Sequence, residues 1–501
     1  MRRTAGPMLP LAQRSQISRN AMVIPSQPWL ACADTDLVKL SADLSIADAV
    51  FSHPRHLAAQ QTLAELITQL RAARNIDDGY ELQQALLDQR LESDESYLAF
   101  RQAAIRVRTG RPPQDGAPTP TSGLDPNKPE AWELERDICE RVARQYRCVG
   151  DALAWRVFGF QRKEIIALSQ SAPPGLIAGK KGLQAELHTV AEAREEGKFA
   201  LLHDLTNCLR IGDITVFSPD GTTWDTIEVK SNPNRSASKQ RRRIKAAVDA
   251  VRNGGPLPNQ DRRTVLYDLD VPFNTHLEIL RDGTRRATSD GIFAARVPGD
   301  RALLVTDFLG CNAQGWTDEQ YQERIEKAYA GALRRANLTD DPEWLITATS
   351  MDLVSRDPVR VPFAAYPLHP VICARIIGDY TVFNVITSGP ALEDSMRRAG
   401  IEARWVRPPG SGELTPGEVV MEMTARTSFP VPEATARILH RPGLRAEHVR
   451  TLQMRRSELD MYLIQLLDQN TWLQGVNYML ADPLLNRRPW PHFRGEDNIW
   501  A

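Results

Sequence analysis

The sequence predicts a multidomain α+β protein, and three observations carry that expectation. Residues 41–108 hold apolar stripes at helical spacing and almost no glycine. Residues 182–272 then alternate helical periodicity with short β-branched runs, in the order helix, three strands, helix, strand. Beyond residue 272, strand-like and helical stretches are interleaved. A chain of 501 residues is long enough for several domains and a sizeable core. The expected division is a flexible tail over 1–30, an α-helical N-terminal domain over 31–109 and a Pro/Gly/Thr/Ser-rich linker over 110–129. A central domain over 130–272 and an α+β C-terminal region over 273–501 complete it.

Composition narrows the class only modestly. Lys and Arg number 62 against 63 Asp and Glu, so the formal charge is −1. That balance neither implies nor excludes a nucleic-acid partner, because a local basic patch survives in a neutral total. No apolar run approaches a membrane span, and the first 24 residues lack the continuous apolar segment of a secretory signal. The six cysteines are scattered without zinc-ligand spacing. A cytoplasmic protein without a membrane partner is the expectation.

The helical stripes of the N-terminal region are Leu63, Leu66, Ile67 and Leu70, then Leu82, Leu86 and Leu87. Residues 41–108 are a candidate docking region for a protein partner, and an oligomer is compatible with the sequence. Trp132, Leu134, Ile138, Val142 and Tyr146 mark a further helix, and residues 151–169 another, before Pro173-Pro174-Gly175 breaks the chain. Residues 182–196 are helical in pattern, with Leu183, Leu187 and Val190 on one face, Glu186 bordering it, and Gly197 as the stop. Strands are expected at 199–204, 211–217 and 224–231. Asn232-Pro233-Asn234 makes a turn, and Ser236 or Ser238 caps a helix running to Arg252. Its buried face is Ile244, Ala247, Val248 and Val251, and residues 264–271 form the next strand. Further strands are expected at 277–280, 291–297, 302–308, 371–387 and 418–425, and helices at 317–336, 391–399 and 456–480. Pro408-Pro409-Gly410-Ser411-Gly412 reads as a surface loop.

The hairpin over 211–231 carries the chemistry. Asp220-Gly221 is a strong two-residue turn signal. It pairs Pro219 with Thr222, Phe217 with Trp224, and Asp213 with Glu228. Side chains alternate along a strand, so Asp213, Glu228 and Lys230 share one face. Ile214, Val216, Ile227 and Val229 share the other, which the sequence assigns to the core. Two carboxylates and a lysine on one face are a candidate site.

Ile211-Gly212-Asp213 and Ile227-Glu228-Val229-Lys230, set in this order of elements, resemble the PD-(D/E)xK nuclease superfamily. The likeness covers residues 180–272, with Gly212 where the motif has proline. It implies a restriction-endonuclease-like αβββαβ core, flanked by the helical and α+β regions. It also implies a Mg²⁺- or Mn²⁺-dependent endonuclease acting on phosphodiester bonds, with DNA the expected substrate and a defence or DNA-processing role by analogy. Asp213 and Glu228 would be carboxylate ligands, joined by the Val229 carbonyl and by Glu186 from the preceding helix. Lys230 would lie beside the attacking water. Gln240 would support the site from the next helix, and Lys239, Arg241, Arg242, Arg243 and Lys245 would contact phosphates without reading bases. The alternative is a catalytically silent nucleic-acid-binding or scaffold protein.

Other signals carry less. His203-Asp204 reads as a packed strand pair rather than a metal dyad. Gly378-Asp379-Tyr380-Thr381-Val382-Phe383 echoes Gly212-Asp213-Ile214-Thr215-Val216-Phe217 but has no Glu-x-Lys after it, so it reads as a non-catalytic strand. The chain has no Gly-rich phosphate loop ending in Lys-Ser/Thr.

Overall fold

In the computed structural model, the described residues are 51–172, 175–229, 238–254, 257–258, 274–339, 341–350, 360–408, 418–430 and 445–481. Among them no helix is long and apolar enough to cross a membrane. The expected 1–30 tail, the turn at 232–234 and the strand at 264–271 lie outside them. So does Lys230, together with the side chain of Lys239.

Three long helices come first. α1 (Pro54–Ala72) starts on a proline, with the His53 ring accepting the Arg55 N–H at its head. α2 (Ile76–Arg108) is capped by the Asn75 side chain. α3 (Pro129–Val157) packs along α2. Every leucine and isoleucine of the two predicted stripes is buried. The expected second helix over 151–169 does not exist as one element. α3 continues to Val157, a corner follows, and a short α4 (Arg162–Leu168) completes the stretch. Gly159 and Phe160 both take left-handed backbone there, at φ 58° and 59°. A bulky residue at positive φ gives no turn signal in the sequence.

The central unit is α5 (Leu183–Glu195), β1 (Phe199–Leu202), a 3₁₀ turn over His203–Leu205, β2 (Ile214–Phe217), β3 (Trp224–Ile227) and α6 (Ser238–Asn253). The strands form an antiparallel sheet in the order β1-β2-β3. Phe217 faces Trp224 and Ile214 faces Ile227, the register predicted from the turn. The turn itself differs. Gly221 N–H donates to the Ser218 carbonyl at 2.8 Å, and Ser218 N–H to the Thr223 carbonyl at 2.9 Å. The loop is therefore four residues, Pro219 to Thr222, rather than Asp220-Gly221 alone, and both loops share one register. The predicted strand over 199–204 ends at Leu202, where the 3₁₀ turn takes over.

Both faces of this sheet are covered, and the apolar face packs against the core as the alternation indicated. Ile214 is buried, but Val216, Ile227 and Val229 are only half-buried. Thr215, Phe217 and Thr226, on the carboxylate-bearing face, are buried more deeply. The rings of Phe158 and Phe199 lie against Phe217 at 5.0 and 6.3 Å between centroids. The outer edge of β1 is closed by α2. Tyr80 Oη donates to the Lys198 carbonyl at 2.7 Å and accepts the Ala200 N–H at 3.0 Å. The Gln83 amide donates to the Ala200 carbonyl and accepts the Leu202 N–H, each at 3.0 Å. Side chains of a helix thus satisfy the backbone groups that a neighbouring strand would otherwise take. The described elements of this unit run helix, three antiparallel strands, helix.

The C-terminal region is α+β, built on two antiparallel sheets. α7 (Leu277–Asp290), α8 (Phe308–Ala313) and α9 (Asp318–Arg335) accompany β4 (Ile292–Val297) and β5 (Arg301–Asp307). β6 (Leu345–Thr349), α10 (Pro370–Ile377) and β7 (Thr381–Ser388) follow, and the first sheet runs β4-β5-β7-β6. α11 (Gly389–Arg398) leads to β8 (Glu402–Trp405), β9 (Val419–Pro430) and β10 (Arg445–Arg455), which form the second. α12 (Arg456–Ile464) and α13 (Gln469–Ala481) close the described chain.

Three expectations fail in this region. Residues 277–280 open α7 instead of forming a strand. Its buried face is Leu280, Gly283, Thr284 and Ala287, a helical stripe in which small residues replace the apolar signal. Residues 371–377 belong to α10, which begins on Pro370 and ends before left-handed Asp379 (φ 60°), so only the second half of 371–387 is strand. The helix over 456–480 is two helices, broken where Leu466 takes φ 47°. One contiguous buried apolar cluster runs from Phe51 to Leu480. α1 reaches the C-terminal region through Arg71, whose guanidinium donates to the Tyr366 carbonyl at 2.6 Å.

Candidate active site

The site is assembled on the strand end that carries Asp213. Gly212 precedes it at φ 80°, and a Cβ there would fall 2.3 Å from Thr226 Cγ2. Proline, fixed near φ −65°, is excluded from this position, and so in practice is any side chain. Glycine at position 212 thus has a local cause. Past Ile214 the strand leaves the ladder, so the expected Asp213–Glu228 pair is not part of it. Asp213 N–H donates instead to the Ile227 carbonyl at 2.9 Å, and Asp213 Oδ2 accepts the Val229 N–H at 2.9 Å. The carboxylate is clipped to the Glu228-Val229 peptide. Glu228 itself is half-buried.

Below the clip lies a buried polar chain. His203 Nε2 is 2.7 Å from Thr215 Oγ1, which is 2.9 Å from Thr226 Oγ1. Burial pushes the His203 imidazole down to about 4, so it is neutral near pH 7. It packs and hydrogen-bonds, as the sequence indicated. Its neighbour Asp204 belongs instead to a charged cluster. Asp204 sits in the 3₁₀ turn, and its Oδ2 lies 2.5 Å from Lys180 Nζ.

Lys180 is the centre of a cluster that sequence reasoning missed. Its ammonium is 2.7 Å from Glu186 Oε1 and 3.9 Å from Asp213 Oδ1, besides Asp204. Burial opposes the lysine's charge, but the hydrogen bonds it donates to Asp204 and Glu186 outweigh it and push its pKa up to about 12. Burial also raises the carboxyls of Glu186 and Asp213, against the pull of Lys180 on the first and of the Val229 N–H on the second. Glu186 borders the apolar stripe of α5, as expected, yet its side chain is only 2% exposed. Its Oε2 has no hydrogen-bond partner among the described residues.

The loop that carries Lys180 is held by the N-terminal helices. Asp94 of α2 accepts the Ile177 N–H at 2.6 Å, and Arg147 of α3 donates to the Gly175 carbonyl at 2.5 Å. Asp151 of α3 accepts the N–H groups of Asn207 and Cys208 at 2.6 and 2.9 Å, fixing the segment between the 3₁₀ turn and β2. A Cβ at Gly150 would fall 1.9 Å from the Leu205 carbonyl oxygen, so the turn carrying Asp204 rests on bare helix backbone. The signals available in the sequence were Gly179-Lys180-Lys181-Gly182, just ahead of Glu186, and the set-aside His203-Asp204.

The remaining predicted residues lie on α6. Its buried face is Ala247, Ala250 and Val251, with Ile244 and Val248 half-buried. Arg241, Arg242 and Lys245 are exposed, and Arg243 and Gln240 are half-buried. Among the described residues no hydrogen bond joins Gln240 to Asp213 or Glu228, so its expected supporting contact is not made here.

All the donors are oxygens, as a hard divalent cation requires. Their spacing, however, suits an ammonium. Among the described residues no three His, Cys, Asp or Glu side chains converge closely enough to hold a metal as they stand. No family model matches the chain, and no curated protein or solved structure matches it.

Proposed function

We propose that this chain is a metal-dependent nuclease that hydrolyses phosphodiester bonds, with DNA as its substrate. The observation that carries the reading is the clipped Asp213 carboxylate, held against the Glu228-Val229 peptide and within 3.9 Å of a lysine that also binds Glu186 and Asp204. An acidic cluster on a hairpin end, followed by a helix with exposed Arg241, Arg242 and Lys245, suits a polyanionic substrate.

Asp213, Glu228, the Val229 carbonyl and Glu186 are the residues that would hold Mg²⁺ or Mn²⁺. An ion held there would supply charge stabilisation at the phosphoryl oxygens and a nucleophilic water at neutral pH. The Val229 N–H fixes the rotamer of Asp213, so its free oxygen has a set direction. Lys230 follows Glu228-Val229 in sequence and is assigned to the attacking water, where an ammonium favours the deprotonated form. The arginines of α6 hold the substrate backbone and leave the bases unread.

A silent nucleic-acid-binding protein is the competing reading, and the lysine-sized spacing of the carboxylates favours it. Incubation of the full chain with duplex and single-stranded DNA in Mg²⁺ or Mn²⁺ separates the two. Cleavage that Asp213→Ala and Lys230→Ala each abolish, in folded protein, supports the nuclease. Salt-sensitive binding without cleavage in any metal supports the alternative.

A further inference from the structure

We propose that Arg301 and Tyr462 form a binding site for a small organic monocarboxylate, at the corner where the β4–β5 turn meets α12 and α13. The site is independent of the nuclease reading. Arg90, Arg141 and Arg301 are the described arginines most completely closed off from solvent, at 2%, 3% and 0% exposure. Arg90 has Asp94 at 3.0 Å, and Arg141 has Asp379. Arg301 has no such carboxylate among the described residues. Its Nε donates to the Pro298 carbonyl at 3.0 Å, and neither Nη atom has a hydrogen-bond partner among them. A buried charge is costly unless it is paired. Arg301 meets that cost only when an acceptor binds it.

The surroundings select the ligand. The Arg301 guanidinium lies over the Tyr462 ring, 4.8 Å from its centroid, and that ring stacks with Trp472 at 4.4 Å. Tyr462 is itself 0% exposed, and its Oη has no hydrogen-bond partner among the described residues. A planar fork with two free Nη atoms matches the paired oxygens of a carboxylate, and the phenol adds a third donor. The aromatic pair suits an apolar body attached to that carboxylate. Charge favours a monoanion. Arg301 supplies one positive charge, while Asp300 and Asp468 are the carboxylates whose charge reaches Tyr462. Asp468 is already engaged, with the Thr471 N–H at 2.9 Å and His276 Nε2 at 3.4 Å. A dianionic phosphate would meet both acids with one guanidinium to offset them. Gln469 is seated against Gly299 of the turn, where an added Cβ would fall 2.6 Å from its Oε1. Gln469 and Trp472 are only half-buried, so the first turn of α13 is the side from which a ligand enters.

Thermal unfolding of the full-length chain at neutral pH and fixed ionic strength, in acetate, inorganic phosphate or chloride, tests the site without recourse to cleavage. Acetate is expected to raise the melting temperature of wild type saturably above that in chloride. Arg301→Met removes the buried charge and should lose that response entirely. In chloride it should melt no lower than wild type, because an apolar side chain replaces an unpaired charge. Tyr462→Phe keeps the stacked ring and removes only Oη. It should weaken acetate binding about tenfold, the worth of one hydrogen bond to a charged group. This second variant decides the matter if the first does not fold. No saturable effect of acetate on wild type would overturn the proposal, as would equal responses in wild type and either variant. A larger response to phosphate than to acetate would overturn the assignment to a monocarboxylate.

Discussion

Two segments of this chain share a pattern, Gly-Asp-x-Thr-Val-Phe, and put it to opposite uses. Asp213 follows a glycine at φ 80°, keeps its side chain 23% exposed, and points one oxygen toward a lysine 3.9 Å away. Asp379 itself takes φ 60°, is 1% exposed, and is closed off by the buried guanidinium of Arg141. After Asp379 comes Tyr380, whose hydroxyl donates to the Phe51 carbonyl at 2.6 Å and stacks with His56. The strand behind it, β7, is buried along its whole length. The echo is a staple between α3 and the C-terminal sheet. The two copies differ in what lies across from them, a shared, partly exposed ammonium against an enclosed guanidinium.

The contrast is broken most severely at the staple. Asp379→Ala leaves Arg141 buried without its carboxylate and is expected to cost about 3–5 kcal/mol, read from denaturant unfolding. Mutating Arg141 to Met in the same chain should recover much of that loss. Gly212→Ala comes next. It forces an L-residue into left-handed backbone and drives Cβ into Thr226, for about 1–3 kcal/mol, and it displaces Asp213 so that cleavage falls with stability.

Glu186→Gln probes the acidic cluster in the opposite direction. Burial raises the Glu186 carboxyl, so the folded state holds its proton more tightly than the unfolded state. Such a group favours folding only while protonated and disfavours it once ionised. The glutamine variant should therefore melt higher than wild type at pH 7 without metal. The gap should close as the pH falls through 4.5, the ordinary value for this group. Gly378→Ala is the mildest change. The atoms nearest its Cβ are the amide end of the flexible Gln60 side chain, which must shift, so stability should move by about 1 kcal/mol.

The legible parts of the fold were those that repeat. Leu63 to Leu70 and Leu82 to Leu87 announce their helices through spacing, and the hairpin register emerged even though its loop is longer than predicted. The illegible parts depend on backbone that composition does not advertise. Phe160, Asp379 and Leu466 at positive φ set three element boundaries, and Gly283, Thr284 and Ala287 hide a buried helix face behind small residues. Asp213 and Glu186 could be singled out because strand alternation and a helical wheel place them. Lys180 could not, because a loop pinned by Asp94 and Arg147 delivers it from outside any periodic element. Asp204 was hidden by the 3₁₀ turn, which rotates it out of the alternation that a strand would impose.

The central claim is that the cluster around Asp213 does phosphodiester chemistry and the echo around Asp379 does not. A single cleavage assay on a mixed panel of supercoiled, linear and single-stranded DNA, run with Mg²⁺, Mn²⁺ and EDTA, addresses it most directly. Wild type and Gly378→Ala should cut in metal and not in EDTA, while Asp213→Ala, folded by its melting curve, should lose about 10²–10³-fold or more in rate. Equal cutting by wild type and Asp213→Ala, or no cutting of any substrate by well-folded wild type, would contradict the account.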